Sequence, residues 1–160
     1  MSTVKFNKDL KQGQLGEKYV AHILRKKGFD ILHFGNTSDY DILTLYKGNE
    51  KSFEVKTDLY EYYKNKITNN LFIEVMCNNK MSGINTSKAD YFVYFLPHIS
   101  EMYMIKMSDL KELLKVEGFR RSSQSGDRGK VTGYLINRDD AKKWFNVKKT
   151  DNILQLFLNL

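Results

Sequence analysis

Two acidic residues and one lysine in the first third of the chain have the types and spacing that metal-assisted phosphate chemistry needs. Asp41 comes just before a short apolar segment, and Glu54 and Lys56 lie two residues apart in the next one. The segment Lys47-Gly48-Asn49-Glu50 between them is a turn signal, so the pattern predicts a hairpin. Carboxylates are ligands that Mg²⁺ prefers, and a bound divalent cation can polarise a phosphate and lower the pKa of a water molecule.

The register of this hairpin decides which side chains meet. With Gly48-Asn49 as the two central turn residues, Asp41 pairs with Lys56, and Leu43 pairs with Glu54. Asp41, Glu54 and Lys56 then share one face, with Asp41 and Glu54 diagonal neighbours about 7–8 Å apart at the backbone. A loop one residue longer or shorter would send Glu54 and Lys56 to the opposite face from Asp41.

The environment of Glu54 favours a functional over a purely structural interpretation. D-x₁₂-E-x-K also describes a solvated hairpin that carries a surface ion pair. However, Glu54 lies between Phe53 and Val55 in a strand that reads as buried. An unpaired carboxylate there is costly, and a metal ion would relieve that cost.

Three other acidic residues are candidates for the same site. Glu17 shares a helical stripe with Val20 and Leu24, so it points toward the sheet, and Gly16 allows close approach. The alternative is a glutamate favoured by the helix dipole at a helix start. Asp39 is set aside because the apolar strand begins directly after Asp41. Glu74, between two apolar residues, is a minor candidate for a further ligand, with a strand-edge ion pair to a lysine as its alternative.

Periodicity and turn signals predict an α/β fold with a mixed sheet covered on both sides. We expect one domain over residues 1–160, which is long enough to bury a core without disulfides. The predicted elements are a helix over 13–27, strands over 29–34, from about 41, over 51–56, 71–76, 91–96 and 102–107, a short helix or loop over 60–70, a helix over 108–117 capped by Ser108, and a basic, mobile loop over 120–130.

Composition favours a nucleic-acid partner. The net charge is +7, from 26 basic and 19 acidic residues. Residues 1–27 carry 7 basic and 2 acidic side chains, 28–105 carry 7 and 10, and 106–160 carry 12 and 7. Basic ends around an acidic centre suit an enzyme that grips a polyanion and binds cations, although many soluble proteins of similar pI bind no nucleic acid.

Other sequence features limit which cellular compartment and which cofactors we expect. The single cysteine, Cys77, cannot form an internal bridge, and we find neither a secretion signal nor a membrane span, so we expect a cytoplasmic protein. No Gly-rich phosphate loop is present, which argues against a nucleotide cofactor. The apolar tail over 153–158 is a candidate dimer surface.

The motifs together resemble the PD-(D/E)XK nuclease superfamily, which includes archaeal-type Holliday junction resolvases, restriction endonucleases and small phage nucleases. The similarity covers residues 13–58: Gly13-x-x-Gly16-Glu17 on a helix, Asp41 at a strand start, and Glu54-Val55-Lys56 on the next strand. It implies a restriction endonuclease-like sandwich with a central mixed sheet flanked by helices. It also implies Mg²⁺, with Mn²⁺ as a substitute, held by Asp41, Glu54 and Glu17, and a catalytic set of Glu17, Asp41, Glu54 and Lys56.

The resemblance implies a DNA endonuclease, and the lack of a separate base-reading domain favours branched DNA as substrate. If the protein is encoded by a phage, its compartment is the host cytoplasm. A restriction-type or exonucleolytic enzyme, and a non-catalytic DNA-binding module of the same fold, are the alternatives. The segment after Lys56 departs from the resolvase pattern, which has a longer helix there. The predicted DNA contacts are Lys80, Ser82, Lys88, Arg120, Arg121, Arg128 and Lys130.

Overall fold

The computed structural model describes residues 3–35, 37–126 and 129–160. The helices are α1 (Thr3–Lys26), α2 (Tyr60–Lys64), α3 (Met107–Val116), α4 (Arg138–Ala141) and α5 (Leu154–Leu158). The strands are β1 (Asp30–Phe34), β2 (Ile42–Tyr46), β3 (Asn49–Thr57), β4 (Asn70–Cys77), β5 (Lys80–Met81), β6 (Tyr91–Leu96), β7 (Glu101–Lys106), β8 (Arg120–Gly126), β9 (Gly129–Asn137) and β10 (Asn146–Lys149).

A six-stranded mixed sheet organises the molecule, in the order β1-β2-β3-β6-β7-β10. Strands β3 and β6 pair in parallel, and the other neighbours pair antiparallel. The predicted α/β class with a mixed sheet is confirmed, and the strand over 91–96 has the predicted bounds. This central strand is nearly all buried, which explains its continuous apolar sequence.

Both faces of this sheet are covered, as the sequence predicted. On one face, Val20 and Leu24 of α1 and Phe157 of α5 pack with Phe53 and Phe95 of the sheet. On the other face, side chains from β6 and β7 pack with Leu110 of α3 and with a second sheet. The second sheet was not predicted.

The second sheet has four strands, in the order β5-β4-β9-β8. The prediction of a loop over 120–130 is wrong, because β8 and β9 form an antiparallel hairpin there. Strand β8 reads Arg-Arg-Ser-Ser-Gln-Ser-Gly, which has no apolar alternation to mark it as a strand. Its pairing is instead decided by β9, which joins the apolar strand β4 from far along the chain.

The helices and the C-terminal segment bring further corrections. Helix α1 begins at Thr3, well before the predicted start at Gly13. Helix α3 begins at Met107, and the residue before it makes no side-chain capping bond, so Ser108 is not a cap. The apolar tail packs largely on its own chain, because Phe157 is fully buried in the core. Within the described residues, no helix is long and apolar enough to cross a membrane.

Candidate active site

The hairpin that carries the predicted site has a different register from the expected one. Lys47 and Gly48, both with positive φ, form the turn, and Tyr46 pairs with Asn49. Asp41 is therefore not opposite Lys56, and Leu43 pairs with Ser52 instead of Glu54. Two central residues with positive φ match the type I′ geometry that tight hairpins favour. The register is offset by two residues, which keeps Asp41 and Glu54 on the same face and brings them closer together.

Asp41 is fixed to strand β3 on both sides of Glu54. Its backbone N–H donates to the carbonyl oxygen of Phe53 at 2.9 Å. Its carboxylate Oδ2 accepts a hydrogen bond from the N–H of Val55 at 2.7 Å. Because these contacts bracket Glu54, the two carboxylates are immediate cross-strand neighbours.

Among the described residues, the Glu54 side chain has one side-chain hydrogen-bond partner, which the sequence prediction missed. The hydroxyl of Ser87 donates to its Oε2 at 2.9 Å, and the same oxygen of Ser87 accepts from the N–H of Ala89 at 3.2 Å. Ser87 is buried and lies just after the turn that contains Ser82, one of the predicted DNA contacts. Its hydroxyl beside that turn was the available signal in the sequence, but only the long-range fold shows that it reaches Glu54.

Helix α1 brings Glu17 to this pair. A Cβ atom at Gly16 would collide with the side chain of Thr57 on β3, so this glycine permits the close packing that the sequence predicted. Glu17 is half-buried at this contact. Its proximity to Asp41 is evident electrostatically, because burial and then the charge of Asp41 raise the pKa of Glu17 to about 7.

The other two carboxyl groups are perturbed in the same direction. Burial raises the pKa of Asp41, and its hydrogen bond from Val55 opposes that rise. Burial, followed by the charge of Asp41, raises the pKa of Glu54 to about 7, and the Ser87 hydroxyl opposes this rise. In the described part of the chain, none of the three acids forms a salt bridge with a lysine, arginine or histidine.

Glu61 shows how the same protein satisfies a buried carboxylate structurally. Glu61 accepts hydrogen bonds from Arg138, His98 and the backbone N–H groups of Thr68 and Asn69. Although burial opposes ionisation, these contacts lower its pKa to about 2. Asp41 and Glu54 each accept a hydrogen bond, but no acid of the candidate site has a cationic partner among the described residues, which distinguishes their cluster from a structural ion pair.

Lys56 and Glu74 complete the surroundings of the three acids. Lys56 follows Glu54 by two residues on β3, so its side chain leaves the same face. It is half-buried and makes no ion pair with any residue that the structure describes. Glu74 pairs with Gly133 of β9 on one side of β4, while β5 on the other side pairs with Met76 and Cys77, so Glu74 lies past the end of β5. Its charge contributes to the raised pKa of Glu54, which places it near the site.

The donor chemistry fits a hard divalent cation. Over residues 3–35, 37–126 and 129–160, no three His, Cys, Asp or Glu side chains already form a group that could hold a metal ion. Mg²⁺ does not require such a group, since it keeps several waters and is usually held by one or two carboxylates together with substrate phosphates. Asp41 and Glu54 supply that pair, and Glu17 adds negative charge beside it.

The predicted DNA contacts do not form one surface. Arg120 lines a cavity beside Lys56, whereas Arg121, the next residue of β8, lines a second cavity with Lys111 and Lys115. Alternation along a strand explains this separation. Arg128 lies outside the described residues.

The remaining predicted contacts are Lys80, Ser82, Lys88 and Lys130. Lys88 forms an exposed salt bridge with Asp39 at 3.5 Å. Lys80 and Lys130 are exposed, and the hydroxyl of Ser82 is buried without a hydrogen-bond partner among the described residues.

In comparisons with known proteins, the chain matches no protein-family model and no curated protein sequence.

Proposed function

We propose that this protein is a divalent-metal-dependent nuclease that hydrolyses phosphodiester bonds in DNA. The observation that carries the proposal is that Glu17, Asp41 and Glu54 lie close together, and that neither they nor the neighbouring Lys56 forms an ion pair with any residue that the structure describes. Burial raises the pKa of all three acids, so each one pays a cost of partial desolvation when it is ionised. Such a cluster is unfavourable if its role is only structural. A cation and a substrate phosphate together would relieve that cost.

The residues would divide the work as follows. Asp41 and Glu54 would hold Mg²⁺ or Mn²⁺, with Glu17 as an outer acid that binds or orients water. A divalent cation bound there supplies polarisation of the phosphate and a water of lowered pKa. The hydrogen bonds from Val55 to Asp41 and from Ser87 to Glu54 orient the two carboxylates. Such outer contacts fix the direction of a ligand before the metal arrives.

Lys56 has a separate role. Its compact ammonium group would donate hydrogen bonds to a phosphate oxygen or to the attacking water, and would offset the negative charge that develops on the phosphate. An ion pair with a neighbouring acid would occupy this group, so its lack of an ionic partner in the described residues suits the role.

The choice of DNA and of the finer fold rests on sequence pattern. The chain order of a helix, a strand that begins at Asp41 and a strand with the Glu-x-Lys pattern resembles PD-(D/E)XK nucleases. We therefore propose a restriction endonuclease-like arrangement for this chain. The basic ends of the chain suit a polyanionic substrate. A homodimer and a preference for branched DNA belong to the same proposal.

Cleavage of a panel of substrates tests the proposal. The panel contains a labelled four-way junction, a flap, a linear duplex, single-stranded DNA and a circular plasmid, each in Mg²⁺, Mn²⁺ and EDTA. We expect metal-dependent cutting by the parent protein and its loss in Lys56→Ala and Glu54→Gln. Lys51→Ala, a change on the same strand outside the proposed set, is the control.

The panel also separates the alternatives. Preferential cutting of the junction would identify a resolvase-like enzyme, whereas plasmid cutting indicates a restriction-type endonuclease and cutting only of linear DNA indicates an exonuclease. Binding without cutting in every metal would instead identify a DNA-binding module that lacks catalysis. If the protein neither binds nor cuts any DNA in the panel, the proposal is overturned.

A further inference from the structure

A cavity of about 560 Å³ opens directly beside Lys56. Arg120, Ser122 and Gln124 of β8 form one wall, because alternate residues of a strand share a face. Lys56, Tyr60 and residues of the segment that follows α2 form the facing wall. The cavity therefore lies between the two sheets, and Lys56 is the residue that it shares with the proposed catalytic set.

The charges that line this cavity favour an anionic ligand. Lys56, Lys66 and Arg120 make no ion pair or side-chain hydrogen bond within the part of the chain that the structure describes. Both acids in the lining are already engaged. Asp58 accepts hydrogen bonds from the hydroxyl of Tyr94 and the N–H of Tyr60, and Glu61 is held by the buried network described above.

The remaining lining suits a nucleobase. Tyr60 is 45% exposed and lines the cavity, so its ring can stack on a base. Ile67, also in the lining, is 84% exposed and offers a further apolar surface. Ser122 and Gln124 present a hydroxyl and an amide to the same space. A basic groove combined with an exposed aromatic ring is the arrangement that binds single-stranded nucleic acid.

The size of the cavity matches one nucleotide. Pockets of about 300–1,000 Å³ enclose single small ligands, a class that includes a nucleotide. We propose that this cavity holds one unpaired nucleotide of the substrate strand, next to the phosphate at Lys56, so that the substrate must be single-stranded or open at the cut. This inference rests on the proposed nuclease function for the position of the cut.

Equilibrium binding in EDTA tests the inference separately from catalysis. Fluorescence anisotropy would compare a labelled 12-nucleotide poly(dT) strand, a duplex with a single-stranded flap and a blunt hairpin duplex. We expect the strand and the flap to bind more tightly than the hairpin. Tyr60→Ala should weaken binding of the strand about 5- to 150-fold, the range expected for one lost base stack. Arg120→Ala should reduce the salt slope for the strand by about 0.7.

Two matched changes serve as controls. Tyr62→Ala removes a tyrosine of the same helix that is 42% exposed and does not line the cavity. Arg25→Ala removes an exposed arginine at the end of α1. Both should leave the preference for the unpaired strand unchanged, and circular dichroism would check that every variant is folded.

The outcomes for binding and cleavage are independent. Equal binding of hairpin and strand, or equal losses on both in Tyr60→Ala and Arg120→Ala, would overturn the inference even if the protein cuts DNA. Preferred binding of the strand that depends on both residues supports the inference. If that binding is seen but Mg²⁺ and Mn²⁺ produce no cleavage, the nuclease proposal fails and the nucleotide site remains.

Discussion

Replacing Glu54 with glutamine should make the metal-free protein more stable, which is unusual for a change at a partly buried polar position. Glutamine keeps the shape of the side chain and can still accept the hydrogen bond from Ser87. It removes the negative charge that burial and Asp41 make unfavourable. A structural role for Glu54 would give the opposite result.

The expected size and pH dependence follow from the raised pKa. A rise from 4.5 to about 7 would correspond to about 3 kcal/mol for a fully buried group. Because Glu54 is only half-buried and water screens its charge, we expect about 1–2 kcal/mol, or a rise in Tm of about 2–8 °C. The carboxyl group is protonated in both states well below pH 4.5 and ionised in both well above pH 7. The wild-type penalty therefore grows as pH rises from 4.5 to 7 and is nearly complete at pH 8.

Thermal unfolding in EDTA at pH 5 and pH 8, followed by circular dichroism, measures this effect. Glu54→Gln should raise Tm at pH 8 and raise it less at pH 5. Glu61→Gln is the matched control and should lower stability by about 3–5 kcal/mol at pH 8, since it removes the charge from a satisfied buried pair. A Glu54→Gln protein that is no more stable than the parent at pH 8 would refute the reasoning about an uncompensated acidic cluster.

Three further predictions follow from the same contacts. At 100 times its Kd, Mn²⁺ should stabilise the parent protein by about 2.7 kcal/mol in thermal unfolding. Its affinity should increase from pH 6 to pH 8, because metal binding releases protons from the carboxyl groups. An equal stabilisation of Asp41→Asn by Mn²⁺ would contradict the site. Ser87→Ala should raise the pKa of Glu54 and move the pH midpoint of Mn²⁺ binding upward in calorimetry, whereas an unchanged midpoint would show that this hydroxyl is incidental. Gly16→Ala should cost about 1–3 kcal/mol in urea unfolding because its Cβ would collide with the side chain of Thr57 on β3. Gly13→Ala lies in the same helix with open space at its Cβ, so it should instead stabilise the protein by up to about 1 kcal/mol.

The sequence predicted the parts of this fold that local pattern controls. Continuous apolar residues marked 91–96 as a buried strand, and helical spacing marked the second half of α1. The shared face of Asp41 and Glu54 followed from the period of two along a strand, and the structure confirms that face. The exact pairing of β2 with β3 could not be predicted, because Lys47 adopts a positive φ that is uncommon for lysine.

The parts that the sequence did not predict depend on distant contacts. Strand β8 is polar along its whole length, and only its pairing with β9 makes it a strand. Ser87 is separated from Glu54 by 33 positions, so no local motif links them. The cavity beside Lys56 forms because two separate sheets approach each other, and its lining comes from segments that look unrelated in the sequence.

The measurement that tests the central claim most directly is DNA cleavage as a function of Mn²⁺ concentration, with Mn²⁺ binding measured by calorimetry on the same preparations. If Asp41 and Glu54 hold the metal and Lys56 acts next to it, DNA cleavage and Mn²⁺ binding should rise over the same range of Mn²⁺ concentration. Both should be lost in Glu54→Gln, whereas Lys56→Ala should keep binding and lose cleavage. Cleavage that persists in EDTA or in Glu54→Gln, or a parent protein that binds no Mn²⁺, would contradict the account.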